Sequence, residues 1–332
     1  MVSLLFFLFN VLPDDPARLT LGQRTDAASI ANVRKQLHLD KPIGQRYFLF
    51  INDLMPVGIY KNQSEPYPFH QATLFQIGEN NVMLKTPYLG RSYQSKKPVW
   101  DMLTEALPGT VILALLAIII GALLGSLLGI LAALKKDTFW DTSAILTSVL
   151  GISTPSFFAG LLIAYIFGYL LSHLTGLQMT GALWEYDIMG NKQLMLRNLI
   201  LPAFTLGIRP MAVIAQLMRS SLLDVLSQDY IRTAKAKGLS TGKIIWRHAI
   251  PNALNPVITA VSGWFAELLA GSFFIEFIFS WKGLGKLTVD ALDKFDFPVV
   301  IGAIIFSASI FVVVNMLTDL VYKWIDPRIK EV

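Results

Sequence analysis

The run Gly238-Leu239-Ser240-Thr241-Gly242-Lys243-Ile244 sets two glycines ahead of a lysine, the residue types that cradle phosphate. Its spacing does not serve that chemistry. Three residues separate the glycines instead of four, and Ile244 stands where a Ser or Thr must reach a magnesium ion. The run also follows no strand-like segment. No nucleotide site is therefore expected in this chain, and if ATP drives it, another chain hydrolyses that ATP. The sequence has no cysteine, which excludes disulfides, thiolate metal sites and thiol catalysis. Its four histidines (His38, His70, His173 and His248) are widely scattered, which argues against a His-based metal site. An intramembrane enzyme would need a Ser/Lys pair or a His/Glu cluster within its apolar runs, and neither is present, so no catalytic residue is assigned.

The ionisable residues that remain inside apolar runs are Arg209, Glu267, Glu276 and Asp319. Such groups are costly in lipid and face a bundle interior or water. Glu276 and Asp319 lie close enough to run ends to sit at a membrane interface. Arg209 and Glu267 are nearer mid-run, where an ion pair between them would relieve both charges; snorkelling from slightly shifted run ends is the alternative. Pro155, within Ser153-Thr-Pro-Ser156-Phe157, removes a backbone hydrogen bond and is expected to kink its helix, with nearby hydroxyls satisfying the freed carbonyls. That kink either lines a pathway or is pure geometry. Pro155, Ser156, Arg209, Glu267 and Glu276 are thus the candidate pathway residues. Gly121, Gly125 and Gly129 recur every fourth residue, so one helix face can admit another helix closely.

These residues must be held by membrane-spanning elements. The chain has 332 residues, 54% hydrophobic and only 15% charged, with a mean hydropathy of +0.53. Soluble domains carry about 25% charged residues. A span needs about 20 apolar residues, and the runs Leu103–Leu134, Ile145–Leu171, Leu199–Leu223, Val257–Ile278 and Val299–Val321 suffice. Met1–Leu12 lacks the basic start and cleavage site of a signal peptide. It is read as a first span whose beginning is missing, with the native polypeptide starting upstream. The expected architecture is all-α, a polytopic membrane protein with six transmembrane helices, the first truncated, and an extracytoplasmic insertion.

The net charge of +5 follows membrane topology rather than nucleic-acid binding. Lys135 and Lys136, then Arg232, Lys235, Lys237, Lys243 and Arg247, then Lys323, Arg328 and Lys330 fall on one side of the alternating spans. By the positive-inside rule that side is the cytoplasm, with both termini inside. The organisation is then residues 1–12 as a partial first helix, 13–100 outside, 101–325 as the transmembrane domain with a cytoplasmic loop at 225–251, and 326–332 as a cytoplasmic tail. In the outer segment, Ala27–Leu39 and Gly44–Leu54 have helical spacing, and Pro56–Pro98 reads as ordered loop or short strand.

The basic segment between spans begins Asp229-Tyr230-Ile231-Arg232-Thr233-Ala234-Lys235-Ala236-Lys237-Gly238-Leu239 and ends at Ile250-Pro251. Its small residues, glycine and aliphatic-Pro end resemble the "EAA" loop of ABC importer permeases. The resemblance extends over the chain and points to the first, B-type permease of the dipeptide/oligopeptide/nickel class. It is carried by Leu39–Ile43 with Tyr47, Leu89–Ser92, Lys97–Val99, Ile152–Phe157, Tyr230–Leu239, Glu276–Gly285 and Asp326–Ile329. Departures are His248 in an aliphatic slot and Lys282 in a proline slot.

The resemblance implies a MetI-like fold in a bacterial inner membrane and a pseudo-twofold pair with a second permease. It also implies two ATPase subunits that use ATP and Mg and an extracytoplasmic substrate-binding protein, with no cofactor in this chain. A short helix from Asp229 would then seat Ala234, Ala236 and Gly238 in an ATPase cleft, with Arg232, Lys235 and Lys237 reaching acids on its rim. The alternative for this basic run is a patch facing lipid headgroups. Peptides are the default substrate of the class, with nickel or another small solute as exceptions. A secondary transporter working without ATP is the distant alternative.

Overall fold

The computed structural model describes residues 2–10, 34, 39–61, 69, 71–187 and 189–325. In chain order these form α1 (Val2–Asn10), α2 (Ile43–Leu54), β1 (Val57–Lys61), β2 (Gln71–Ile77), β3 (Asn80–Lys85), α3 (Val99–Leu134) and α4 (Phe139–Ser153). There follow α5 (Ser156–Leu170, π-helical over Ile166–Leu170), β4 (Trp184–Tyr186), β5 (Lys192–Leu194), α6 (Arg197–Leu226), α7 (Asp229–Ala236) and α8 (Thr241–Ala253, π-helical over Ile245–Ala249). The chain closes with α9 (Asn255–Gly271), α10 (Phe273–Ile278), α11 (Leu284–Asp293) and α12 (Phe297–Ile325). Apart from residues 34 and 39, the expected helix over Ala27–Leu39 lies outside the described residues, as does the Asp326–Ile329 element.

The chain divides into two compact units, residues 1–106 with 287–306 and residues 107–286 with 307–332. In the first unit the amphipathic helix foreseen near Gly44–Leu54 is α2. It packs on α1 through Phe6, whose ring centroid lies 5.2 Å from that of Tyr47 and 5.5 Å from that of Phe50. The segment read as loop or short strand is an antiparallel sheet in the order β1-β3-β2. Lys85, the last residue of the central strand β3, is buried; its ammonium donates to the Asp53 carbonyl and sits over the rings of Tyr60 and Phe69, at 5.6 and 5.0 Å. Asp296 anchors the turn before α3, accepting from Ser92 Oγ at 2.5 Å and from the Tyr93 N–H at 2.9 Å.

The second unit holds the apolar bundle. Among the described residues three helices are long and apolar enough to cross a membrane, α3, α6 and Phe297–Thr318 of α12, and up to five if each bent pair is one span. A Cβ at Gly121, Gly125 or Gly129 would stand 3.0, 2.6 or 2.5 Å from the carbonyls of Gly207, Met211 and Ala215 on α6. Backbone therefore meets backbone along two turns, a geometry that only glycine on α3 permits.

Two of the expected spans differ in form. The Pro155 kink is a full break: α4 and α5 meet at 108°. Thr154, preceding proline, is extended at φ −77°, ψ 125°, as the steric demand of the proline ring requires. The Thr154 hydroxyl donates to the Leu150 carbonyl at 2.6 Å and so satisfies part of the helix end. The run Val257–Ile278 is likewise not one helix. α9 stops at Gly271, and α10 restarts around a buried carboxylate, Glu276.

Candidate functional site

α7 forms for local reasons. Asp229 occupies its first turn and Lys235 its last, each complementing the helix dipole. Thr233 Oγ1 bonds back to the Asp229 carbonyl at 3.0 Å. The helix ends in a Schellman arrangement, with Gly238 N–H donating to the Lys235 carbonyl (3.0 Å) and Leu239 N–H to that of Ala234 (3.3 Å). Gly238 has φ +75°, a left-handed conformation that glycine adopts without strain.

One face of α7 is riveted to the bundle. Ile231, fully buried, and Ala234 join Ile214, Met218 and Leu222 of α6 and Ile244, Ala249 and Ile250 of α8 in one apolar cluster. Ala234 thus faces its own chain, which corrects the expectation that it enters an ATPase cleft. The i, i+3 spacing of Ile231 and Ala234 makes this inner stripe. The outward face carries Tyr230, Arg232, Thr233, Lys235, Ala236 and Lys237, all exposed. Arg232 pairs with Asp229 at 3.3 Å, both well exposed, a contact worth less than about 1 kcal/mol and easily exchanged for another acid. Pro251 is exposed in the last turn of α8, and the π-helical turn before it widens the helix where the proline ring would meet the Arg247 carbonyl.

Beside this loop lies an ion pair that the sequence reading passed over. Arg219 Nε and Nη2, near the end of α6, donate to the two carboxylate oxygens of Asp141, in the first turn of α4, at 2.5 and 2.7 Å. Asp141 is buried and also accepts from the Asp137 N–H at 3.0 Å. The available signal was an acid just after Lys135-Lys136 and a base at the same end of a neighbouring run.

Within the bundle, Ser156, Arg209 and Glu267 line one cavity, together with Thr154, Thr205 and Trp264. Its cavity volume is about 110 Å³, and it opens widely to one side. Pro155 is the break that turns Thr154 and Ser156 toward it. Arg209 and Glu267 close no ion pair with each other; the Arg209 guanidinium lies over the Trp264 ring, 5.9 Å from its centroid. Glu276 does not line this cavity. It is fully buried, with Oε1 accepting from Thr110 Oγ1 (2.7 Å) and Ser272 Oγ (2.6 Å) and Oε2 from the N–H groups of Gly285 (2.7 Å) and Lys286 (3.2 Å). With its hydrogen bonds met, it reads as a lock holding the 281–286 segment on α3 rather than as a pathway residue. Trp281 Nε1 bonds the Gly109 carbonyl at 2.9 Å and completes that lock. The side chain of Asp319 lies outside those described.

A family model for the binding-protein-dependent transport system inner membrane component matches residues 125–331, and the N-terminal model of such membrane components matches residues 1–114. A dipeptide transport system permease protein of Alkalihalophilus pseudofirmus is 32% identical over 99% of this chain and 94% of its own length. One of Bacillus subtilis is 36% identical over 99% of this chain and 92% of its own. Among solved structures, a MetNI methionine ABC transporter in an inward-facing conformation has a chain that superposes with a TM-score of 0.54 at 13% identity. It covers 68% of this chain and 97% of that one, a likeness of MetI-like fold. Fold, both family models and full-length relatives agree: this chain belongs to the binding-protein-dependent inner-membrane components, multi-pass transport permeases, not enzymes, that work within ABC importer complexes.

Proposed function

We propose that this chain is the transmembrane subunit of an importer of short peptides, in which α7 is the element that docks an ATPase subunit. The observation that carries the docking is the two-sidedness of α7. An exposed row of Arg232, Lys235, Ala236 and Lys237 rides on a helix fixed from below by Ile231 and Ala234. A helix attached in this way moves with α6 and α8 as a lever, so closure of an ATPase dimer reaches the bundle as a two-state displacement. Two ATPase subunits would use ATP and Mg, a second homologous permease would complete the pathway, and an extracytoplasmic binding protein would deliver the solute. Both termini would lie in the cytoplasm. The dipeptide assignments of the relatives support a peptide substrate.

Ala236→Asp tests the docking. Residue 236 is exposed and helical, so the change leaves folding intact while placing an acid in the socket. Membrane level and copurification of the second permease should be unchanged, and ATP-driven dipeptide uptake should fall at least about tenfold, the loss of roughly one docking contact of 1.4 kcal/mol or more. If uptake and binding-protein-stimulated ATPase activity both persist, α7 is not the docking element.

A further inference from the structure

The two charged residues of the bundle cavity are opposite in sign, share one chamber, and are not spent on each other. An ionisable group in a span faces a bundle interior or water. Arg209 on α6 and Glu267 on α9 are both exposed on the single chain, so this face of the bundle fronts water or a second subunit rather than lipid.

We infer that this cavity is a transmembrane subsite for a zwitterionic solute, with Arg209 receiving its carboxylate and Glu267 its ammonium. The assignment rests on the peptide-importer reading above, since a dipeptide bears one of each group. The lining chemistry separates the two ends. Arg209 offers a planar fork that matches a carboxylate bidentately, and Trp264 holds that fork by its ring face, which leaves the N–H edges for the ligand. The Thr154 and Thr205 hydroxyls give their protons to the Leu150 and Leu201 carbonyls, so into the cavity they present lone pairs only. With the Glu267 carboxylate they supply acceptors for an ammonium group. The break at Pro155 is what brings Thr154 to this wall. Contact at the two charged ends fixes the backbone of the solute and leaves its side chains unread, which suits a pathway that must release what the binding protein has already selected.

The test uses the whole transporter in proteoliposomes, with its ATPase subunits, second permease and binding protein, and radiolabelled alanyl-alanine as probe. Arg209→Gln and Glu267→Gln should each lower ATP-driven uptake about tenfold or more, the loss of one charge-assisted contact. ATPase stimulation by loaded binding protein should stay within about twofold, and the complex should copurify intact. Arg209→Lys, which keeps the charge but not the fork, should retain more uptake than Arg209→Gln. Uptake near the wild-type level in both Gln variants overturns the subsite. Loss of copurification also overturns it, because the charges then serve the contact between permeases. A parallel fall of uptake and stimulated ATPase activity overturns it in favour of a coupling role. A wild-type transporter that moves no dipeptide at all defeats the peptide reading itself, a result distinct from each of these.

Discussion

At residue scale, the difference between a pathway carboxylate and a structural one is decided by what surrounds it. Among the described residues Glu267 lies in an open chamber without a hydrogen-bond partner, whereas Glu276 accepts four hydrogen bonds in a site closed to solvent. Every group around Glu276 is a donor: two hydroxyls and two backbone N–H groups. Glu276→Gln keeps the shape but turns one acceptor oxygen into an NH₂ that faces donors, leaving buried polar groups unsatisfied at a cost of about 1–3 kcal/mol. The expected result is a lower thermal unfolding temperature in detergent, with dipeptide uptake reduced only in proportion to the folded protein. Selective loss of uptake at unchanged stability would show that Glu276 belongs to the pathway after all. The glycines of α3 obey the same local rule. Their spacing showed in the sequence that a helix comes close, but only the carbonyls of Gly207, Met211 and Ala215 identify α6 as that helix.

At element scale, the proposed docking at α7 would have two routes into the bundle. One is the apolar cluster shared with α6 and α8; the other is the Asp141–Arg219 pair, which ties the end of α6 to the start of α4. Asp141→Asn removes the charge from a buried, bidentate contact and should cost roughly 2–3 kcal/mol of stability, less than a fully buried pair because Arg219 keeps some solvent. It should also loosen transmission, so that ATP hydrolysed per solute imported rises. The reciprocal exchange, Asp141→Arg with Arg219→Asp, should recover part of both; equal damage in the single and double variants would mean the two residues act separately. The elements themselves were largely legible in the sequence. Apolar runs of sufficient length marked the spans, and Gly238 with the alternating small and basic residues marked α7. What was not legible depends on partners distant along the chain. The inward turn of Ala234 follows from α6, and the lock on Glu276 comes from Thr110, far away in sequence. Pro155 was visible as a disruption, but a local rule gives a kink, and the 108° turn requires the α5 packing site.

At the scale of the whole molecule, the docking proposal and the transmembrane subsite both depend on which side of the membrane each segment occupies. Sidedness rests on electrostatics. Lys135, Lys136 and the α7–α8 loop are basic and short, and short basic loops stay in the cytoplasm, whereas long outer segments cross largely regardless of charge. The β1–β3 sheet should then be extracytoplasmic and the turn after α7 cytoplasmic. The chain is naturally free of cysteine, so single introduced thiols report without background. Glu79 lies in the exposed turn between β2 and β3, and Ser240 is exposed between α7 and α8. In intact cells Glu79→Cys should react with a membrane-impermeant maleimide and Ser240→Cys should not, and permeabilisation should make both reactive. The opposite pattern would put α7 on the outer face, out of reach of any ATPase. Reaction of both thiols in intact cells would mean that the apolar runs do not alternate across the bilayer as their lengths and flanking charges require.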